Sequence, residues 1–282
     1  FGVYTSGESV RHVYSEREAE VSRTLEMIKA EMTVVTRSGS SAVTYASAKA
    51  LGWAVADEPF GPWDRTGEPY NYPQEQVELH RVHYERGERL TPETVQLAER
   101  VLGRIAGDQR SDTVIIKMPH AMIEPEDIAK YWPADLTAFL VRNPLARLNS
   151  LYTRGWTDTI REPYDMETLK LFLHRFMHQP IERRFTFVEF TDTPRRFFRR
   201  LWTAWGAEFS EEQVELAVRY KAKTYHESSG ETIEGRNPHR VLSEHRADVP
   251  EEAVRAYLDD PVIGTFLHRM GWDESASRYL ST

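Results

Sequence analysis

The chain has 282 residues, of which 40% are hydrophobic and 11% aromatic, enough for one large domain with a real core and too apolar for wholesale disorder. Its formal charge of −8 argues against a nucleic-acid coat or a strongly membrane-attracted surface, while local basic patches can still hold a small anion. With no cysteine it has no disulfide, thiolate zinc site or Cys nucleophile; no apolar run approaches transmembrane length, and the expected location is cytoplasmic. The chain begins at Phe1 with no basic-plus-apolar leader, so it is read without a secretory signal and with excision from a longer protein left open.

Val21, Leu25 and Ile28 form a thin apolar stripe that predicts a peripheral helix from about Ser15 to Lys29. The next stretch, TVVTRSGSSAVTYASAKALG over residues 33–52, reads as a β-branched strand, a small-residue loop and a helix that Gly52 closes. Residues 53–71 are dense in Pro, Gly and aromatics and read as a long loop, followed by helices near 74–86 and from Thr91, where Pro92 and Glu93 supply a start signal. This 53–110 region is expected as an insertion over an acceptor site. Strands follow at Thr113 to Ile116, Leu136 to Val141 and Phe185 to Glu189, each separated by helical pattern. That alternation predicts a single α/β domain with a parallel sheet and helices on both faces, ligands lying beyond the strand C-terminal ends. Tyr225 to Pro238 reads as linker-like, within a late loop over 222–248.

The chemistry is expected at those strand ends. In Arg37-Ser38-Gly39-Ser40-Ser41, Gly39 lets backbone approach an anion, the new helix turns its free N–H groups toward it, and Ser hydroxyls and the Arg37 fork add hydrogen bonds. The nucleoside triphosphatase pattern, with Lys and Ser or Thr after a second glycine, is missing, so no magnesium ligand is arranged. Such a loop suits a donor that loses something other than a phosphoryl group, and sulfuryl transfer fits, because fixed cations alone can support it. A second segment, FLVRNPLARLNSLY at 139–152, ends a buried strand at Arg142, opens a helix at Pro144 and places Ser150 eight residues beyond the arginine. A turn at Asn143-Pro144 can bring that guanidinium and hydroxyl to one phosphate.

These two pieces, with FVEFTDTPRRFFRRLWTAWG at 187–206 and Lys117 at a strand end, resemble the sulfotransferases that use 3′-phosphoadenosine 5′-phosphosulfate (PAPS), in their bacterial form with a P-loop-like fold. The resemblance spans roughly residues 32–206. It implies that Arg37, Ser38, Gly39, Ser40 and Ser41 hold the 5′-phosphosulfate, that Arg142 and Ser150 hold the 3′-phosphate, and that Arg236 after Gly235 belongs to a loop closing over it. It also implies Lys117 and Arg37 at the reacting group, with either His120 or Glu58 as general base. His120 stands three residues after the lysine where many members have two, and Glu58 lies in a Glu-Pro element similar to that of bacterial carbohydrate and lipid sulfotransferases. The acceptor would be a hydroxyl, or an amine, of a small molecule, sugar or lipid, with no metal, no nucleic-acid partner and oligomeric state open. Two other readings stay open: a phosphotransferase of nucleoside-kinase type and a non-catalytic nucleotide-binding module.

Other polar features have plainer readings. His80 and His83 lack the spacing to share a metal on one helix face, Arg195, Arg196, Arg199 and Arg200 make a solvated face, and Leu169 to Met177 carry a core stripe.

Overall fold

A computed structural model of the chain describes residues 27–35, 38–60, 74–85, 89–119, 127, 130–131, 136–153, 163–220, 222–225, 232–236 and 249–278. Strand β1 (Ile28–Val34) is followed by α1 (Ser40–Leu51), β2 (Ala54–Asp57), α2 (Gln74–Glu85), α3 (Pro92–Gln109), β3 (Thr113–Pro119) and β4 (Leu136–Val141). Then come α4 (Pro144–Thr153), α5 (Pro163–His178), β5 (Arg184–Thr186), α6 (Phe187–Asp192), α7 (Pro194–Ala204) and α8 (Glu211–Arg219). A hairpin of β6 (Ala222–Tyr225) and β7 (Thr232–Arg236) precedes α9 (Glu251–Asp259) and α10 (Pro261–Arg269). Strands β1 to β5 form one sheet in the order β2-β3-β1-β4-β5, with every neighbouring pair parallel.

The side-chain alternation of β1 explains the layers. Ala30, Met32 and Val34 face α1, α7 and α8, where Phe197, Phe198, Leu201, Trp202 and Trp205 fill the largest core. The indoles in that core are satisfied, since Trp202 Nε1 donates to Ser47 Oγ at 3.0 Å and Trp205 Nε1 to the Glu31 carbonyl at 3.3 Å. On the opposite face, α3 covers Val114, Ile116 and Met118, while α4, α5, α9 and α10 cover Phe139 and Val141. Helices therefore lie on both faces, as an all-parallel sheet requires. The start of α3 follows from local chemistry: Thr91 caps it in a reciprocal pair with Thr94, and Pro92 opens it.

Four sequence expectations change. Ile28 and Lys29 belong to β1 and not to the end of a helix; the rest of that expected helix, 15–26, lies outside the described residues. Residues 54–57 form the edge strand β2, hidden in the sequence because two of its four residues are alanines beside a Pro-rich and Gly-rich stretch. The strand expected over Phe185 to Glu189 stops at Thr186, because Thr186 and Glu189 form a capping box that starts α6 immediately. Finally, the late loop expected over 222–248 holds the antiparallel β6–β7 pair, with β7 inside the linker-like stretch and β6 lying against α1.

Candidate functional site

The register brings the C-terminal ends of three strands to one edge, with Val34 opposite both Pro119 and Leu140. Between β1 and β4 the chain connections run off in opposite directions, which opens a crevice at the strand ends. The loop after β1 turns there, with Ser38 N donating to the Val35 carbonyl at 3.2 Å and Gly39 at φ 82°, a left-handed conformation that glycine adopts without strain. Among the described residues, helix α1 begins at Ser40 with no side-chain cap and no acidic residue in its first turn, so nothing there offsets its positive end. Ser38 is fully buried, and its Oγ has no hydrogen-bond partner among the described residues. Arg37 and His120 lie outside the described residues.

On one side of this loop stands Lys117, buried near the end of β3 directly opposite Asp57 of β2. Its Nζ lies 2.6 Å from Asp57 Oδ1 and 2.8 Å from Glu58 Oε1, and donates to Ser41 Oγ at 3.0 Å. Two carboxylates and a hydroxyl therefore surround the ammonium group. Burial presses Lys117 toward losing its proton, yet Glu58 and then Asp57 outweigh burial, and its pKa sits above the ordinary lysine value. Glu58 is held from two directions, because its N–H also donates to the Lys117 carbonyl at 3.0 Å. Its backbone has φ 51°, a conformation that costs a non-glycine residue about 1 kcal/mol or more and that gathers at functional sites. Tyr45, one turn beyond Ser41 on α1, donates to Asp57 Oδ2 at 3.0 Å.

On the other side, Arg142 directly follows β4 and is 7% exposed, with its guanidinium carbon 5.4 Å from the centre of the Phe187 ring. Asn143 fixes the turn beyond it: Oδ1 accepts from Leu145 N at 2.9 Å at the start of α4, and Nδ2 donates to Ser275 Oγ at 3.0 Å. Ser150 is half-buried at the end of the second turn of α4. Arg236 ends β7 opposite Ala222, on the hairpin beside α1.

The structure thus gathers Lys117, Glu58 and Ser41 into one cluster and places Arg142 at the neighbouring strand end. Asp57, Tyr45 and Phe187 were not singled out from sequence. Asp57 had a signal in its adjacency to Glu58, and Tyr45 in its one-turn spacing from Ser41, whereas nothing local marks Phe187. Glu189 serves the fold, since its carboxylate closes the α6 cap and pairs with Arg200. The basic run around it is likewise structural, Arg195 pairing with Glu215 and Arg199 with Glu211 across α7 and α8. Arg147, fully buried on α4, donates to the Tyr257 hydroxyl at 3.3 Å. Among the described residues no group of three or more His, Cys, Asp or Glu could hold a metal, and no helix is long and apolar enough to cross a membrane.

Fold and site together define a parallel α/β protein with a small-residue loop at the switch point of its sheet. No family model matches the chain, and no curated protein does. Among solved structures it is similar to one described as "Sulfotransferase Domain from the Curacin Biosynthetic Pathway", at 12% identity and a TM-score of 0.47, over 88% of this chain and 99% of that one. A likeness at that level carries no functional inference.

Proposed function

We propose that this chain is a sulfotransferase that moves a sulfuryl group from PAPS to a hydroxyl, or an amine, of a small-molecule, sugar or lipid acceptor. The observation that carries the reading is the meeting of Lys117, Glu58 and Ser41 at the open start of α1, with buried Arg142 at the adjacent strand end. In this reading the 5′-phosphosulfate lies on the loop of Arg37, Ser38, Gly39, Ser40 and Ser41, and the 3′-phosphate on Arg142 and Ser150, with Arg236 closing over it.

The acceptor oxygen forms a bond to sulfur as the bond from sulfur to the bridging phosphate oxygen breaks, and the departing nucleotide keeps that electron pair. The acceptor proton passes to Glu58 or His120. Glu58 can take it once the Lys117 ammonium turns from the carboxylate toward the bridging oxygen, where its positive charge offsets the charge that develops. Asp57 remains to hold Lys117 near the crevice. Transfer without a metal ion, without nucleic acid and in the cytoplasm belongs to the same proposal.

Calorimetry with adenosine 3′,5′-bisphosphate, set against ATP with magnesium, tests it together with turnover of PAPS in a chelator. Tighter binding of the bisphosphate and transfer that survives chelation are expected. Preference for ATP with magnesium would replace this reading with the phosphotransferase one, and binding without turnover of any acceptor would leave a nucleotide-binding module.

A further inference from the structure

Phe187 touches both halves of the anion site from a third strand end. A side-chain carbon added at Gly39 would lie 2.8 Å or closer to three atoms of its ring, so the loop backbone rests directly on the aromatic edge. The same ring carries the Arg142 guanidinium at 5.4 Å from its centre. Gly39 follows β1, Arg142 follows β4 and Phe187 follows β5, three strands side by side in the sheet. The ring is itself braced: Phe190 stands 5.3 Å from it, centre to centre, and Phe197 5.3 Å beyond that, so the contact runs into the largest core. Its backbone is fixed as well, because the Thr186–Glu189 capping box sets the first turn of α6, which Phe187 opens.

We infer that Phe187 is a positioning residue that holds the Gly39 loop and the Arg142 guanidinium at a fixed separation, so that one ligand with two anionic ends is gripped at both. The inference rests on the reading of Arg142 and the loop as anion ligands. A buried guanidinium stacked on a ring has lost much of its water and part of its freedom, and its donors are oriented before a ligand arrives. A ring with two rotatable bonds sets that orientation better than an aliphatic side chain of similar bulk. Glycine at position 39 follows from the same contact, since any larger residue would push the loop off the ring.

The test is affinity for adenosine 3′,5′-bisphosphate and for adenosine 5′-monophosphate in the parent, Phe187→Leu, Arg142→Ala and the double variant, with melting temperatures alongside. Phe187→Leu is expected to weaken the bisphosphate about tenfold or more while changing the monophosphate less, and to add little once Arg142 is gone. Unchanged bisphosphate affinity in Phe187→Leu, equal losses for both nucleotides, or a full loss repeated in the Arg142→Ala background would each overturn it. Where Phe187→Leu fails to fold, proton NMR of the parent decides: the Arg142 side-chain signals, assigned with Arg142→Lys, should show a ring-current shift that persists in the bisphosphate complex. Departure of Arg142 from the ring on binding would contradict the inference. If the parent binds no bisphosphate, the sulfotransferase reading fails by itself, and the same variants titrated with inorganic pyrophosphate test Phe187 separately.

Discussion

The two flanks of the crevice hold cations by different means. Toward β2 and β3, Lys117 lies in ion-pair contact with two carboxylates and donates to a hydroxyl. Toward β4 and β5, Arg142 lies buried against an aromatic ring that belongs to the core. A flexible point charge among competing partners can change them during a reaction, whereas a planar guanidinium set on a ring is suited to hold one group throughout. The contrast teaches where turnover and where affinity should reside: the Lys117 flank should govern the chemical step, and the Arg142 flank the grip on the donor.

Variants can break that division, beginning with the largest expected effect. Glu58→Gln should lower kcat by about 10²- to 10⁴-fold if its carboxylate is the base, with adenosine 3′,5′-bisphosphate affinity nearly intact. Unchanged turnover would move the role to His120, which His120→Ala then checks in the same assay. Arg142→Ala should weaken the bisphosphate by about 2 to 4 kcal/mol, as expected for a desolvated charge-assisted contact. A loss of turnover at saturating donor without a loss of affinity would reverse the assignment of the two flanks.

A smaller effect lies beneath the crevice, on the middle of β1. Glu31 is 1% exposed, accepts a hydrogen bond from Thr33 Oγ1 at 2.5 Å, and leaves Oε2 with no partner among the described residues. Burial raises its pKa above the ordinary glutamate value, against the opposing effects of Thr33 and Arg175. The folded state then binds the proton more tightly than the unfolded one, so this residue's contribution is full at low pH and declines as pH rises past the unfolded value. Glu31→Gln should flatten that decline as pH rises past the ordinary glutamate value, read from denaturant midpoints. Identical pH profiles for parent and variant would contradict it. Smallest of all, Glu211→Ala and Glu215→Ala should each leave the denaturant midpoint and donor affinity nearly unchanged, because Arg195 and Arg199 are exposed partners whose ion pairs are screened by solvent.

Much of the fold was legible because its determinants are local. Strand β4 has the bounds the apolar run predicts, Thr91 and Pro92 announce α3, and Gly52 closes α1 with φ 71°. The misses had determinants elsewhere in the chain. Strand β2 is a strand by virtue of β3 beside it, and Ala-Val-Ala-Asp alone carries little β signal. Strand β5 ends early because a cap three residues wide overrides an apolar run. Within the site, single residues could be read from residue type and place, as with Lys117 at a strand end and Glu58 before a proline. What could not be read is the pairing of Lys117 with Asp57, which comes from strand register, and the position of Phe187, which depends on three separate strand ends meeting.

The most direct measurement is a crystal structure of the chain with adenosine 3′,5′-bisphosphate. The account predicts the 5′-phosphate on the backbone amides around Gly39 at the start of α1, and the 3′-phosphate on Arg142 with its guanidinium still against Phe187. A nucleotide bound away from the β1–β4 crevice, or one held at only one of its phosphates, would contradict it.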